Sequence, residues 1–298
     1  MLRFVRSISG VSYKMKPITS AGCLIIGDEV LNGKIHDTNS FKFAKFCFDE
    51  LSIPLKKTIV CSDDKQDIAN CIKILNKECD MIVTSGGIGP THDDVTYEAL
   101  ADAYDVPCEL DKEVVERMSK LRGDYLKTLS LPQLEAFHKM ATLPECKNSS
   151  LCIEKVFVDD SLWVPVIGID EKVYVLPGVP KLFDRLLKGL GKHIMPRVVG
   201  TGLTRYFVKT STKESELAPF LTALQKKCDE NFDKSVKLGS YPHMEWNVNT
   251  VSIIGNSKIK SSELRAIVEE ILAKVGGDAI EITPQDESKL ISEGPLPK

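Results

Sequence analysis

The sequence predicts an α/β protein: a mostly parallel sheet covered by helices, followed by a smaller α+β domain. Short β-rich apolar runs alternate with helix-period segments through the first two thirds of the chain. Polar, glycine-bearing clusters follow directly on predicted strands, where open α/β sheets bind their ligands. Beyond Gly200 the order changes to strand, helix, strand, strand, helix, and at 298 residues the chain exceeds the usual size of one domain.

The elements follow in order. "CLIIG" (Cys23 to Gly27) is a buried strand. A helix spans Ser40 to Leu51, with Ala44, Cys47, Phe48 and Leu51 on one face and Thr38, Asn39 or Ser40 as N-cap. "LKKTIV" (Leu55 to Val60) is the next strand, and Lys65 to Asn76 the next helix, with Ile68, Ile72 and Leu75 at helical spacing. "MIVTS" (Met81 to Ser85) is a third strand, and Val95 to Tyr104 a third helix. Two helical patterns between Asp111 and Met140, split by Gly123 and Pro132, form an insertion that either caps a cleft or simply packs. "VYVL" (Val173 to Leu176) resumes the sheet and ends in "PGVP", with a helix from Lys181 to Leu190 behind it. From Thr201, "RYFVKT", "KESELAPFLTALQKKCDEN", "SVKLGSYP", "TVSIIG" and "SSELRAIVEEILAKVG" give a β-α-β-β-α unit. The expected division is a leader over 1–20, the α/β domain over 21–200, the α+β domain over 201–283 and a polar tail over 284–298.

Composition narrows the function classes. A formal net charge of −3 and a pI near 6.0 lack the basic footprint of nucleic-acid binding. No apolar run reaches membrane-spanning length. The nine cysteines are scattered, with no C-x-x-C pair, and read as reduced small hydrophobes of an intracellular protein. The first residues, "MLRFVRSISGVSYKM", carry Arg3, Arg6 and Lys14 with serines and no acid. That composition fits either a mitochondrial transit peptide or a disordered extension before a chain beginning near Met15. The expected compartment is accordingly the cytoplasm, with the nucleus also open, or the mitochondrion through the basic leader.

The chemistry concentrates in "VTSGGIGPTHDDVT" (Val83 to Thr96). Gly86, Gly87 and Gly89 permit backbone angles that bring amides close to an anion, flanked by the hydroxyls of Ser85 and Thr91. A helix beginning near Asp94 would point its N-terminus at the same spot. The loop is neither G-x-x-x-x-G-K-[ST] nor G-x-G-x-x-G. Thr91-x-x-Asp94 fits a capping box, which needs one acid and leaves Asp93 and Asp94 one carboxylate in excess. Beside a phosphate, the excess calls for a divalent cation held by Asp93 and Asp94, Mg²⁺ or Mn²⁺ preferring such oxygen ligands. His92 is a ligand or proton donor, or an imidazole bonded to backbone. Asp28 and Glu29, directly after the first strand, are a second catalytic carboxylate pair or a solvated turn. Asp37, Thr38 and Asn39 recognise a base, ribose or ring amide, or cap the following helix. No Ser–His–Asp order is present, so attack of water on phosphorus, aided by a cation, is favoured over covalent catalysis.

"IIGDEVLNGKIHDTNS", "TSGGIGPTHDDVTYEALA" and "VYVLPGVPKLF", in that order, resemble the molybdopterin-binding-like domain of the MoaB/MogA superfamily. The branch is similar to the amino-terminal domain of CinA and the corresponding domain of eukaryotic FAD synthases, with "GGIGPTHDDVT" the most specific match. The resemblance spans about Ala21 to Leu190, and "KLGSYP" is similar to the small second domain of that branch. It implies a three-layer α/β/α fold, a phosphate-bearing ligand at Gly86, Gly87 and Gly89, metal-linked Asp93 and Asp94, and Asp28 in the same pocket. Asn39, Pro177, Gly178 and Pro180 match family positions, and Asn39, Pro177 and Gly178 are expected to contact substrate. Members of the branch hydrolyse the pyrophosphate of FAD or ADP-ribose with Mn²⁺, Co²⁺ or Mg²⁺, Mn²⁺ being the preferred expectation. The sequence carries neither a PAPS-reductase-like nor an amidohydrolase segment, as in stand-alone fungal FAD pyrophosphatases. The expected activity is therefore FAD and ADP-ribose hydrolysis, with molybdopterin binding, pterin adenylation or plain nucleotide binding as alternatives. A dinucleotide is the expected partner, without nucleic acid or membrane; relatives commonly form dimers or trimers, and the sequence leaves a homo-oligomer open.

Overall fold

The computed structural model describes residues 5–8, 11–146, 151–200 and 202–292. The chain forms two compact units, Met1–Gly200 and Thr201–Lys298. In the first, β1 (Val5–Ile8) and β2 (Val11–Lys14) pair as an antiparallel ribbon, where the sequence suggested a transit peptide or a disordered extension. The expected leader also ends too late. Ile18 is fully buried, bridges Val198 in parallel, and exchanges backbone bonds with Arg197 and Val199.

The elements that follow are β3 (Ala21–Ile26), α1 (Asp28–Leu31), α2 (Asn39–Lys45), β4 (Leu55–Cys61), α3 (Lys65–Glu78), β5 (Met81–Ser85) and α4 (Thr96–Ala103). Then come β6 (Cys108–Leu110), α5 (Lys112–Leu126), α6 (Leu131–Lys139), β7 (Thr142–Pro144), β8 (Ile153–Val156), β9 (Val166–Ile169), β10 (Val173–Leu176) and α7 (Pro180–Ile194). The expected helix over Ser40 to Leu51 is split: α2 passes into a π-helical turn, Phe46–Glu50.

The central sheet has the order β4-β3-β5-β10-β9-β8. β4, β3, β5 and β10 run parallel, whereas β9 and β8 add antiparallel. Each central strand is buried on both faces, so its side chains alternate between two cores. Cys23, Ile25, Met81, Val83, Tyr174 and Leu176 join Phe43 of α2 and Phe183, Leu186 and Leu190 of α7 on one face. Leu24, Ile26, Ile82, Val173 and Val175 join Ile68 and Ile72 of α3, Leu100 of α4 and Met118 of α5 on the other. This is the three-layer α/β/α arrangement. Six of the nine cysteines are buried, and none forms a disulfide.

The second unit contains β11 (Thr204–Thr210), α8 (Glu214–Phe232), β12 (Val236–His243), β13 (Val248–Gly255), α9 (Ser261–Val275), β14 (Ile280–Ile282) and α10 (Pro284–Ser292). Its sheet is antiparallel, in the order β12-β13-β11-β14, with α8 and α9 supplying the core. The sequence pattern omitted β14 and assigned Pro284–Ser292 to a tail. Thr283 starts a helix there instead: its hydroxyl donates to Asp286 at 2.7 Å and accepts from the Asp286 amide at 3.1 Å, ahead of Pro284 in the first turn. The Trp246 indole donates to the Leu290 carbonyl at 3.2 Å and ties the helix down.

Candidate functional site

Because β3, β5 and β10 are parallel neighbours, Ile26, Ser85 and Leu176 end on one rim of the sheet. A cavity of about 500 Å³ opens over that rim. Strand ends supply its floor: Gly27 follows β3, the glycine loop follows β5, and Pro177 and Gly178 follow β10.

The glycine loop is shaped by close approach. Gly86 has φ +117, and a Cβ there would lie 2.1 Å from the Ile26 carbonyl oxygen. Its amide donates to the Leu176 carbonyl at 3.1 Å, which extends the β5–β10 pairing by a residue. Gly86 therefore lets the chain pass rather than offering its own N–H to an anion, a correction to the expectation of three converging glycine amides. The amides of Gly87, Ile88 and Gly89 have no partner among the described residues. Helix α4 begins at Thr96, two residues beyond Asp94, and the Thr96 amide is committed to the Gly87 carbonyl at 2.9 Å. The helix N-terminus thus fastens the loop and does not start at the acidic pair.

Asp94 accepts from the Thr91 amide at 3.0 Å and from the Thr91 hydroxyl. The capping-box pairing closes this turn and does not cap α4. Asp93 is exposed; hydrogen bonding from Thr91, its own amide, and the nearby His92 and Lys139 hold its carboxyl below the ordinary aspartate range. Lys139 of α6 also donates to the Thr91 carbonyl at 2.5 Å, so the insertion braces the loop. His92 is exposed and does not line the cavity.

Glu29 lines the cavity and Asp28 does not. The Asp28 amide donates to Asp63 Oδ2 at 2.8 Å, and Asp63 does line it. Burial, together with the negative charges of Asp28, Glu29 and Asp93, pushes the Asp63 carboxyl above its ordinary range, against the opposing pull of the Asp28 N–H. Asp63 was missed in the sequence, although "SDD" follows β4 directly and the strand-end rule applied to Asp28 and Ser85 reaches it equally.

Asn39 is 5% exposed and spans the cavity wall. Its Nδ2 donates to Ser85 Oγ at 2.9 Å and to the Gly178 carbonyl at 2.8 Å, while the Ser85 hydroxyl faces the Pro177 carbonyl at 3.4 Å. The helix start is handled by Asp37, which accepts from the Asn39 and Ser40 amides at 2.8 and 3.1 Å. Asn39 and Ser85 are thus brought together with Pro177 and Gly178 as a buried brace. The structure gathers Glu29, Asn39, Ser85, Gly86, Gly87, Gly89, Thr91, Asp93, Asp94, Pro177 and Gly178 around one cavity and leaves Asp28 beside it.

Among the described residues, no group of three or more His, Cys, Asp or Glu is placed to hold a metal ion. By donor type alone, Glu29, Asp63, Asp93 and Asp94 offer carboxylate oxygens, the ligands a hard cation takes. No helix of the described residues is long and apolar enough to cross a membrane.

The family model described as "Probable molybdopterin binding domain" matches residues 22–197, and that of "FAD synthase, middle domain" matches residues 204–283. A "Probable FAD synthase" of Caenorhabditis elegans is 29% identical over 241 residues, 78% of this chain and 45% of that protein. A protein of Pyrococcus abyssi is 32% identical over 231 residues, covering 74% of this chain and 87% of its own length. The chain spans about half the length of the FAD-synthase-named relatives it matches, 45% and 47%. The crystal structure of a CinA protein of unknown function from Thermoplasma acidophilum superposes with a TM-score of 0.51 at 26% identity, covering 59% of this chain and 98% of that one. With residues 22–197 of 298 matched, on the fold and around the loop described above, the chain belongs to the molybdopterin-binding domain family.

Proposed function

We propose that the chain is a nucleotide pyrophosphatase that cleaves FAD to FMN and AMP, with ADP-ribose as a further substrate. One juxtaposition supports this reading: Gly87, Ile88 and Gly89, whose amides have no partner among the described residues, line the same cavity as Glu29, Asp63, Asp93 and Asp94. The amides suit the diphosphate, and the surplus of carboxylates suits a phosphate chemistry that brings in positive charge. The FAD-synthase names of relatives support a flavin nucleotide as the ligand.

In this mechanism the Gly87–Gly89 amides orient the diphosphate, and the Asn39 brace keeps the Gly178 turn against it. Glu29 accepts the proton of the water that attacks phosphorus. Asp93 and Asp94 would hold a divalent cation, Mn²⁺ by preference, which when bound supplies charge neutralisation and lowers the pKa of water. Incubation with FAD and Mn²⁺, followed by chromatographic separation, is expected to give FMN and AMP in equal amounts. FAD bound without products would reduce the site to a binding module. The family match favours one alternative, a molybdopterin-binding or pterin-adenylating protein, for which molybdopterin would be retained and FAD left intact.

A further inference from the structure

The turn that carries Asp93 and Asp94 is closed on itself. Thr91 gives its amide and hydroxyl to the Asp94 carboxylate, and its carbonyl accepts the Asp94 amide at 3.3 Å. Residues 88–95 bridge the gap between Gly87 and Thr96, whose backbones are bonded to each other. Ile88 and Val95 pack against apolar neighbours at the two ends, whereas Pro90, Thr91, His92 and Asp93 are exposed and gain no support from burial. Among the described residues, this stretch makes one hydrogen bond to another element: Lys139 Nζ of α6 donates to the Thr91 carbonyl at 2.5 Å.

A lysine in the last turn of a helix ordinarily serves that helix's own free carbonyls. In α6 two of these are taken, Phe137 by the Met140 amide and His138 by the Ala141 amide. Lys139 reaches instead to a residue 48 positions away. The donor's side of this bond is the fixed one. Helix α6 has no buried residue, but Phe137 packs between Tyr125 of α5 and Trp163, a wall residue of the cavity, at 5.9 and 5.6 Å between ring centroids. Just beyond Lys139, Ala141 is fully buried, its carbonyl takes the Asp111 amide at 2.8 Å, and the chain enters β7, which pairs with β6.

Resting on the pyrophosphatase reading above, we propose that Lys139 is a positioning residue, which holds the Thr91–Asp94 turn so that Asp93 and Asp94 stay on the cavity. The α5–α6 insertion is the arm that delivers it. The ammonium contributes place and not charge. It lies near enough to Asp93 to help lower that carboxyl's pKa, and by charge alone it would repel a divalent cation.

Lys139→Met keeps the length of the side chain and removes the donor. In the chain without metal or nucleotide, deuterium uptake at residues 88–95 is expected to quicken at least ~10-fold, with Met81–Ser85 unchanged. FAD turnover should fall ~10-fold in kcat with KM for FAD within about twofold, and the Mn²⁺ concentration for half-maximal rate should rise. Lys139→Arg, which retains a donor, should bring kcat back to within about threefold of wild type. Unchanged uptake at residues 88–95 in Lys139→Met overturns the proposal. A raised KM with kcat unchanged overturns it as well, because the lysine would then meet the substrate itself. Tighter Mn²⁺ binding by Lys139→Met also overturns it, since the lysine would be acting through its charge. If the wild type leaves FAD intact while uptake at residues 88–95 still quickens in Lys139→Met, the hold on the turn stands and the pyrophosphatase reading falls.

Discussion

The side-chain amide nitrogen of Asn39 lies 2.8 Å from the carbonyl oxygen of Gly178, 139 residues further along the chain. The same nitrogen reaches Ser85 Oγ, so one buried side chain joins α2, the end of β5 and the turn after β10. Asn39→Leu keeps the volume and removes both donors, leaving the partner oxygens without them. A loss of about 2 kcal/mol is expected in urea unfolding, and Asn39→Asp should be worse because it sets a carboxylate against the Gly178 carbonyl. An Asn39→Leu variant as stable as wild type would remove the brace from the account of the site.

The two glycines Gly86 and Gly123 should respond in opposite directions to alanine. At Gly86, positive φ and the Ile26 carbonyl leave no room, and Gly86→Ala is expected to cost about 3 kcal/mol or more. Gly123 lies in α5 with open space around it, so Gly123→Ala should stabilise by about 0.5–1 kcal/mol. Equal effects at both positions, measured by chemical denaturation, would contradict the loop geometry.

Asp93→Asn and Asp94→Asn are expected to lower FAD hydrolysis at least ~100-fold with an intact fold by circular dichroism. Either substitution should weaken the stabilisation that Mn²⁺ gives in thermal melts, and chelation with EDTA should abolish turnover of the wild type. Full activity in both Asp93→Asn and Asp94→Asn would sink the role given to the acidic pair.

Glu154 predicts an acid limb of stability. Its carboxyl, 16% exposed, contacts His193 Nε2 at 2.9 Å. Burial raises its pKa, but the His193 hydrogen bond and the charges of His193 and Arg197 outweigh burial and hold it below the ordinary glutamate range. A carboxylate with a depressed folded pKa contributes stability that is present above the unfolded value, 4.5, and is lost as pH falls through the folded value. Glu154→Gln should therefore lower the melting temperature above about pH 4.5, with the gap to wild type closing as pH falls below that value. A gap that stays constant down to the acid range would remove the ion pair as its source.

Much of the fold was legible because burial on both faces writes a strand as an unbroken apolar run. "CLII" and "MIVTS" are such runs, and every residue of β3 and β5 is buried. β8 and β9 were not legible. β9 turns into β10 through Asp170 and Glu171, both at positive φ, 56° and 55°, where sequence normally announces the turn with Asn-Gly or Asp-Gly. At the site, residue types pointed to the glycine loop and its acids, and the structure sets both on one cavity. Pattern could not assign Asn39 to a buried brace, nor Gly86 to chain passage, since both depend on what lies opposite in space. Asp63 is the exception: its signal stood in the sequence, directly after a strand.

β5 carries the glycine loop, and it lies inside the sheet, paired with β3 on one side and β10 on the other. Amides in such a doubly flanked, fully buried strand exchange with solvent only through the largest openings of a domain. The glycine loop therefore hangs from the segment that yields last, and a deuterium-exchange series should find no step at which Met81–Ser85 opens while the surrounding sheet stays protected. Heat or denaturant would then release the loop and unfold the sheet of the first unit in the same transition, with no folded form of that unit in which the loop alone is lost.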